Sequence, residues 1–515
     1  MRIAFAQRTT SLALLLCLGL VPAAQAQHDS DDSTTTTPIK HVVVIFQENV
    51  SFDHYFGTYP HATKNLDGTQ YFTGAAEDTP RVNSLEAAGL LTNNPNGVNP
   101  FRIDRKFANT CDQDHGYSDE QFAFHGGLMD RFLTHSCVDA NLGPNSTLGY
   151  FDGNTVTALW NYAQHFAMSD NSFGTSFGPS TPGLLNLVAG NTFEGTITNG
   201  LTGSGFIANG VTSGAVVGDA DPAGDKCSSS TRTQVRMSGR NIGDLLNTAS
   251  LTWGSFMGGF ADCAHVSTGI TGFSTADYIP HHAFFQYWQS TLNADHTRRS
   301  SVAMIGHAGD AANHEYDITD FWDALAAHNL PAVSFIKAPG FEDGHAGYSD
   351  PIDEQNFLVN TINTLEKSDE WKETAVIISY DDSDGWYDHQ MGPIVNQSNV
   401  TDDQLEGPGS CGTVKANQSS GTNQNGRCGY GPRLPLLVIS PYAKPNFVDH
   451  RVTDQSSIIR FIEDNWKLGR IGDGSADAIA GKLDGMFDFN HLNRPLFLQP
   501  LTGQPVDNHH DDHDH

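Results

Sequence analysis

Basic residues are scarce: 28 Lys and Arg face 59 Asp and Glu along 515 residues, a formal charge of −31. With no Lys/Arg cluster, such a chain lacks the basic surface that nucleic acids or anionic membranes are bound by. An anionic substrate must then be held by a local positive site, because fields between exposed charges fade over about 8 Å at physiological salt. Cysteine is sparse too, at seven residues. No two of them form a CxxC, which argues against a thiolate zinc site. Internal repeats are absent. The N-terminal apolar run, Leu12 to Val21, is shorter than the about 20 residues of a membrane span, so no stable membrane anchor is expected.

That run reads instead as the middle of a signal peptide over 1–26. Two arginines precede it and Ala24-Gln25-Ala26 follows, with cleavage expected after Ala26. The prediction is a secreted or periplasmic protein. Cleavage removes Cys17 and leaves Cys111, Cys137, Cys227, Cys263, Cys411 and Cys428. An even set in an exported chain favours disulfides, and pairing of sequence neighbours is one of the connectivities open to it. Residues 27–38 are polar and predict a disordered lead-in, and 501–515 predict an acidic, His-rich tail.

Between them, 39–500 reads as a single domain. Short apolar runs at 41–46, 332–337, 374–380 and 434–440 suit strands covered on both faces. Helical periodicity separates them: Leu358, Ile362, Leu365 and Trp371 share one face, and Ile458, Ile459, Ile462 and Trp466 another, with Gly469 as the expected stop. This alternation predicts an α/β fold with a central, mostly parallel sheet covered by helices. The Gly/Ser/Thr-rich stretch 190–275 reads as an insertion or cap.

Two of the strands run into charge. "HVVVIFQ" leads to Glu48-Asn49, and "TAVIISY" leads to Asp381-Asp382. In open α/β sheets function gathers at the carboxyl ends of strands. Glu48, Asp381 and Asp382 would repel one another there unless a cation intervened, and Asn49 adds a neutral oxygen. The set suits one divalent metal ion with hard oxygen ligands. Ser180 in "GPSTPGLLNLVAG" precedes Pro182 and a short apolar run closed by Gly190. A helix starting there would aim unpaired N–H groups at an anion and favour an alkoxide. His115, the pair His281-His282, and His345 supply the groups that clamp phosphate oxygens or protonate a leaving group where Lys and Arg are few.

Six ordered stretches, "HVVVIFQENVSFDHYFG", "DQDH", "SDNSFGTSFGPSTPG", "YIPHH", "DGHAGYSDP" and "SYDDSDGWYDH", resemble the phosphoesterase family of secreted bacterial acid phosphatases and phospholipases C, a branch of the alkaline phosphatase superfamily. The resemblance implies an alkaline-phosphatase-like fold and a phosphate-ester substrate. It implies that Glu48, Asn49, Asp381 and Asp382 bind the metal, and that Ser180 is a nucleophile touching it. His115, His281, His282 and His345 would contact the phosphoryl group, with His345 or His282 as the acid. Val50 stands where the family commonly has Arg. "GPSTPG" and the end of the chain soon after Leu501 look more like the acid phosphatase branch than the phospholipase C branch, which is the alternative. A non-catalytic secreted metal-binding protein is the reading from another class. Histidines with unperturbed values near 6.5 further predict an acidic optimum.

Overall fold

A computed structural model describes residues 34–74, 78–411 and 424–506. The expected signal peptide, most of the expected lead-in and the His-rich 507–515 lie outside them. No helix among the described residues is long and apolar enough to cross a membrane.

The central sheet has eight strands, in the order Glu315–Asp317, Trp253–Met257, Val333–Lys337, His41–Gln47, Thr374–Tyr380, Leu436–Ile439, Ala167–Ser169 and Phe447–Asp449. Leu436–Ile439 alone runs antiparallel to its neighbours; all other pairs in the sheet are parallel. Every residue of Thr374–Tyr380 is buried, so both faces of the sheet are covered. Helices Thr157–His165, Ser180–Ala189, Ile318–Ala326, Pro351–Glu366 and Ser456–Trp466 supply the cover, placing Leu159, Leu184, Phe321, Leu358 and Ile458 in one cluster with Val44, Phe335 and Ile377. The fold is α/β with a mostly parallel sheet. The four runs expected to be strands are neighbours at its centre.

The expected insertion at 190–275 is corrected by the structure. Its first part does form a separate four-stranded sheet from Gly195–Ile197, Ser213–Gly214, Asp221–Pro222 and Gln234–Met237. Trp253–Met257, however, belongs to the central sheet beside Val333–Lys337. Its Gly and Ser content hid a buried strand: Gly254 lies where a Cβ would stand 2.8 Å from the Phe256 ring. The ends differ as well. Thr36 N donates to Asn465 O at 2.8 Å and Thr37 Oγ1 to Asn465 Oδ1 at 2.7 Å, so the disorder expected of 27–38 does not hold for these residues. At the other end Gln499 N bonds Gln504 O and Val506 N bonds Phe497 O, folding 501–506 back as a hairpin rather than a tail. Helix Ser456–Trp466 stops at Lys467, with φ 57°, two residues before the expected Gly469. The three disulfides join sequence neighbours: Cys111–Cys137, Cys227–Cys263 and Cys411–Cys428.

Beyond Asn49 the chain enters a short helix, Phe52–Phe56, whose cap Ser51 accepts the N–H of His54. The His54 ring stacks on Trp386 at 3.9 Å and Nδ1 donates to Gly149 O at 2.8 Å. Burial pushes its imidazole down to about 3. A folded value below the unfolded one means a contribution intact above about pH 6.5 and lost as pH falls, since only the unfolded chain then takes the proton. At pH 5 the loss from His54 is about 2 kcal/mol. Replacing His54 by Gln is expected to lower stability at pH 7 and to flatten its fall between pH 7 and 5 by that amount, as read by urea unfolding at both values.

Candidate active site

His41–Gln47 and Thr374–Tyr380 pair in register to their last residues, Gln47 opposite Tyr380, so Glu48-Asn49 and Asp381-Asp382 leave the sheet side by side. Asn49 turns with φ 57°, a left-handed conformation that Asn tolerates. Its N–H donates to Asp381 Oδ1 at 2.9 Å. Helix Ser180–Ala189 abuts this corner because Gly183 has no side chain: a Cβ there would lie 2.3 Å from Asp381 O. Ser180 Oγ consequently donates to Glu48 Oε2 at 2.9 Å, with Asp382 Oδ2 at 3.3 Å and Asn49 Oδ1 at 3.4 Å. All five side chains are buried.

A divalent cation fits this corner. Asp381 Oδ2 is buried without a hydrogen-bond partner. Burial, followed by the Asp381 charge, pushes the carboxyls of Glu48 and Asp382 well above the ordinary range. Carboxylates that crowd together like this need protons or a cation, and the oxygen donor set suits a hard ion. Glu48, Asn49, Asp381, Asp382 and Ser180 would hold it.

The histidines stand around the same corner. His282 Nδ1 is 3.2 Å from Glu48 Oε1, the His281 carbonyl accepts from Thr181 Oγ1, and His115 Nε2 is 3.3 Å from Asn49 Nδ2. His345 stacks on Tyr348 and lies 6.0 Å from the His115 ring. They do not share one protonation behaviour. Burial lowers His281 to about 4, His345 below its usual value, and His282 well below it. Burial also opposes charge on His115, yet Asp384 and Asp112 overcome it and raise His115 to about 9. An acidic optimum therefore does not follow from four unperturbed imidazoles.

Four further residues were not legible as site residues. Lys337 ends its strand 1% exposed and donates Nζ to Glu48 Oε1. Burial opposes its charge, but Glu48, Asp381 and Asp343 together raise its pKa. Asp343 accepts the His345 N–H at 3.0 Å and the Tyr348 hydroxyl at 3.2 Å, and burial lifts its carboxyl to about 8. Asp384 accepts from Asn49 Nδ2 and contacts His115 Nδ1 at 3.4 Å. Asp219 takes the Thr181 N–H at 2.9 Å, occupying one donor at the helix start. Lys337 carried the signal that exposed Glu48, a polar residue ending a buried strand. Val50, in place of the family's frequent Arg, is 1% exposed and packs in the core.

A cavity of about 410 Å³ opens beside Pro179 and His115, and Asp112, Asp114, Asp119, Asp219 and Asp402 also line it, with no Lys or Arg. The Ser180 hydroxyl at a helix start, the crowded carboxylates and the His282 and His115 rings are thus brought together at one corner of the sheet. The sequence profile of the Phosphoesterase family matches residues 39–469. The chain belongs to that family. The non-hemolytic phospholipase C of Pseudomonas aeruginosa is 26% identical over 90% of this chain and 60% of its own length. Phospholipase C A of Mycobacterium tuberculosis is 23% identical over 91% of this chain and 81% of its own. The chain thus spans about 60% of the length of the Pseudomonas relative. A solved protein of the alkaline phosphatase superfamily from Vibrio parahaemolyticus aligns over 64% of both chains at 12% identity, with a TM-score of 0.29, too low to bear on the fold.

Proposed function

We propose that this is an exported, metal-dependent phosphodiesterase of phospholipase C type. The observation that carries the phosphoester reading is Ser180 Oγ, buried at a helix start within 3.4 Å of Glu48, Asn49 and Asp382. The phospholipid part rests on the curated relatives, which are named phospholipases C, and it replaces the acid phosphatase expected from "GPSTPG". Export is supported by the signal-like 1–26 and by three disulfides.

A bound divalent ion would polarise a phosphoryl oxygen and favour the serine alkoxide. Ser180 Oγ attacks phosphorus and passes its proton to Glu48 Oε2, the atom it already bonds. The phosphorus–oxygen bond to the leaving alcohol breaks, and that alcohol takes a proton from His345 or His282, which the anionic substrate charges on binding against the burial that lowers both in the free protein. Water then cleaves the phosphoserine; Glu48 returns the proton to Ser180, and the proton released by water recharges the histidine. His115, held cationic by Asp384 and Asp112, contacts a phosphoryl oxygen throughout.

The test compares an aryl phosphorylcholine diester, an aryl phosphate monoester and phosphatidylcholine vesicles with the metal-loaded chain from pH 5 to 9. Diester and lipid turnover at least about tenfold above the monoester is expected. The reverse order would return the reading to acid phosphatase. No turnover of any of the three by folded protein would favour a metal-binding protein without catalysis. Deleting 507–515 is expected to leave metal binding intact, since the ligands lie elsewhere.

A further inference from the structure

Two long stretches of this strongly acidic chain carry no charge at all: Gly195 to Gly218, and Val266 to Ala276. Both present apolar side chains to solvent. In the hairpin pairing Val266–Thr268 with Ser274–Ala276, Val266 is 59%, Ile270 54% and Phe273 36% exposed. In the other stretch Leu201 and Val211 are 39% and 47% exposed. Scattered exposed apolar residues need no explanation, but uncharged tips at a binding site do.

The first stretch borders the acidic cavity, and the second is anchored beside the segment that lines it. Gly205 of the first lines it directly. The hairpin is tied down by the Ile270 N–H on Asp353 Oδ1 at 2.8 Å and by Thr271 Oγ1 on Asn109 Oδ1 at 2.6 Å. Three residues past Asn109, Asp112 lines the same cavity. The hairpin is therefore tied down at Ile270 N–H and Thr271 Oγ1, while the Val266, Ile270 and Phe273 side chains stay exposed.

We propose that these two segments form a rim that seats the cavity mouth on a zwitterionic lipid surface. Apolar side chains on segments that carry no charge of their own enter the headgroup boundary at low cost. A net charge of −31 disfavours a bilayer of anionic lipids, whose surface potential has the same sign. A zwitterionic surface lacks that repulsion and presents a cationic group to the aspartates of the cavity. The proposal rests on the phospholipid reading above and adds to it the surface that delivers the substrate.

The experiment uses the full chain carrying Ser180→Ala, so that lipid is not consumed, in sedimentation with phosphatidylcholine vesicles and with phosphatidylglycerol vesicles. Binding to phosphatidylcholine is expected, at least tenfold weaker to phosphatidylglycerol, and at least tenfold weaker again to phosphatidylcholine when Ile270→Ser and Phe273→Ser are added. In the active background the same pair should leave hydrolysis of soluble aryl phosphorylcholine unchanged and cut hydrolysis of phosphatidylcholine vesicles about tenfold. Equal vesicle binding with and without the pair, or no binding to phosphatidylcholine, overturns the rim. Failure to hydrolyse any phosphodiester overturns the phospholipid reading instead, and sedimentation distinguishes the two.

Discussion

Ser180→Ala is expected to lower kcat by at least about a thousandfold while leaving the unfolding midpoint near that of the wild type. Loss of a nucleophile removes the covalent route as a whole, so what remains is the residual rate that binding and charge placement support. The hydroxyl donates one hydrogen bond to Glu48, and the helix behind it is held by Leu184, Leu185, Leu187 and Val188, all fully buried. The substitution is therefore silent in packing. Steady-state rates on the preferred ester, with phosphate labelling of the wild type followed by peptide mapping, check it. A variant that keeps a tenth of the activity, or a label on another residue, would remove Ser180 from the mechanism.

Arg433→Met should cost about 3–5 kcal/mol, the largest stability loss of any single side chain discussed above. The guanidinium is fully buried. Its Nε bonds both oxygens of Asp388 at 3.1 Å, Nη2 bonds Asp53 Oδ1 at 3.0 Å, and Nη1 serves the carbonyls of Asn83 and Asp170. The plane also lies over Phe52, 4.3 Å from the ring centroid. Methionine fills similar space but strands two buried carboxylates. His389 beside Asp53 is the remaining cation, and it reaches only one of them. Chemical denaturation measures the loss, and Arg433→Lys, which keeps charge without the fork, is expected to fall between the two. A loss below about 1 kcal/mol would mean that water reaches the site and replaces the arginine.

Part of the site could be read from residues alone. Glu48, Asn49, Asp381 and Asp382 stood out because each pair follows an apolar run long enough to be a buried strand, and the register of the two strands brings them together. Ser180 stood out because Pro182 and Gly190 bracket a helix. Lys337 carried a like signal at the end of its strand, whereas Asp343, Asp219 and Asp384 left none. Their importance comes from which charges they face, and contacts such as Lys337 with Glu48 join residues far apart in the chain. The strand Trp253–Met257 was missed for a related reason. Its small residues look like loop until Phe256 and Tyr316 are seen packed against them. Periodicity reports burial averaged over a segment, whereas a small residue admitted by a neighbour's ring is a property of the pair.

The position of His41–Gln47 has a consequence in time. It is the first strand of the sheet to be synthesised, yet it sits near the middle, with Val42 against Val333 on one side and His41 against Thr374 on the other. Neither partner exists until most of the chain has left the ribosome. The strand must wait unpaired, and the long loops it closes make its docking slow. The corner built from the ends of His41–Gln47 and Thr374–Tyr380 is consequently among the last features to assemble: a chain still emerging carries the carboxylates of Glu48 and Asp381 far apart, and only a completed one crowds them.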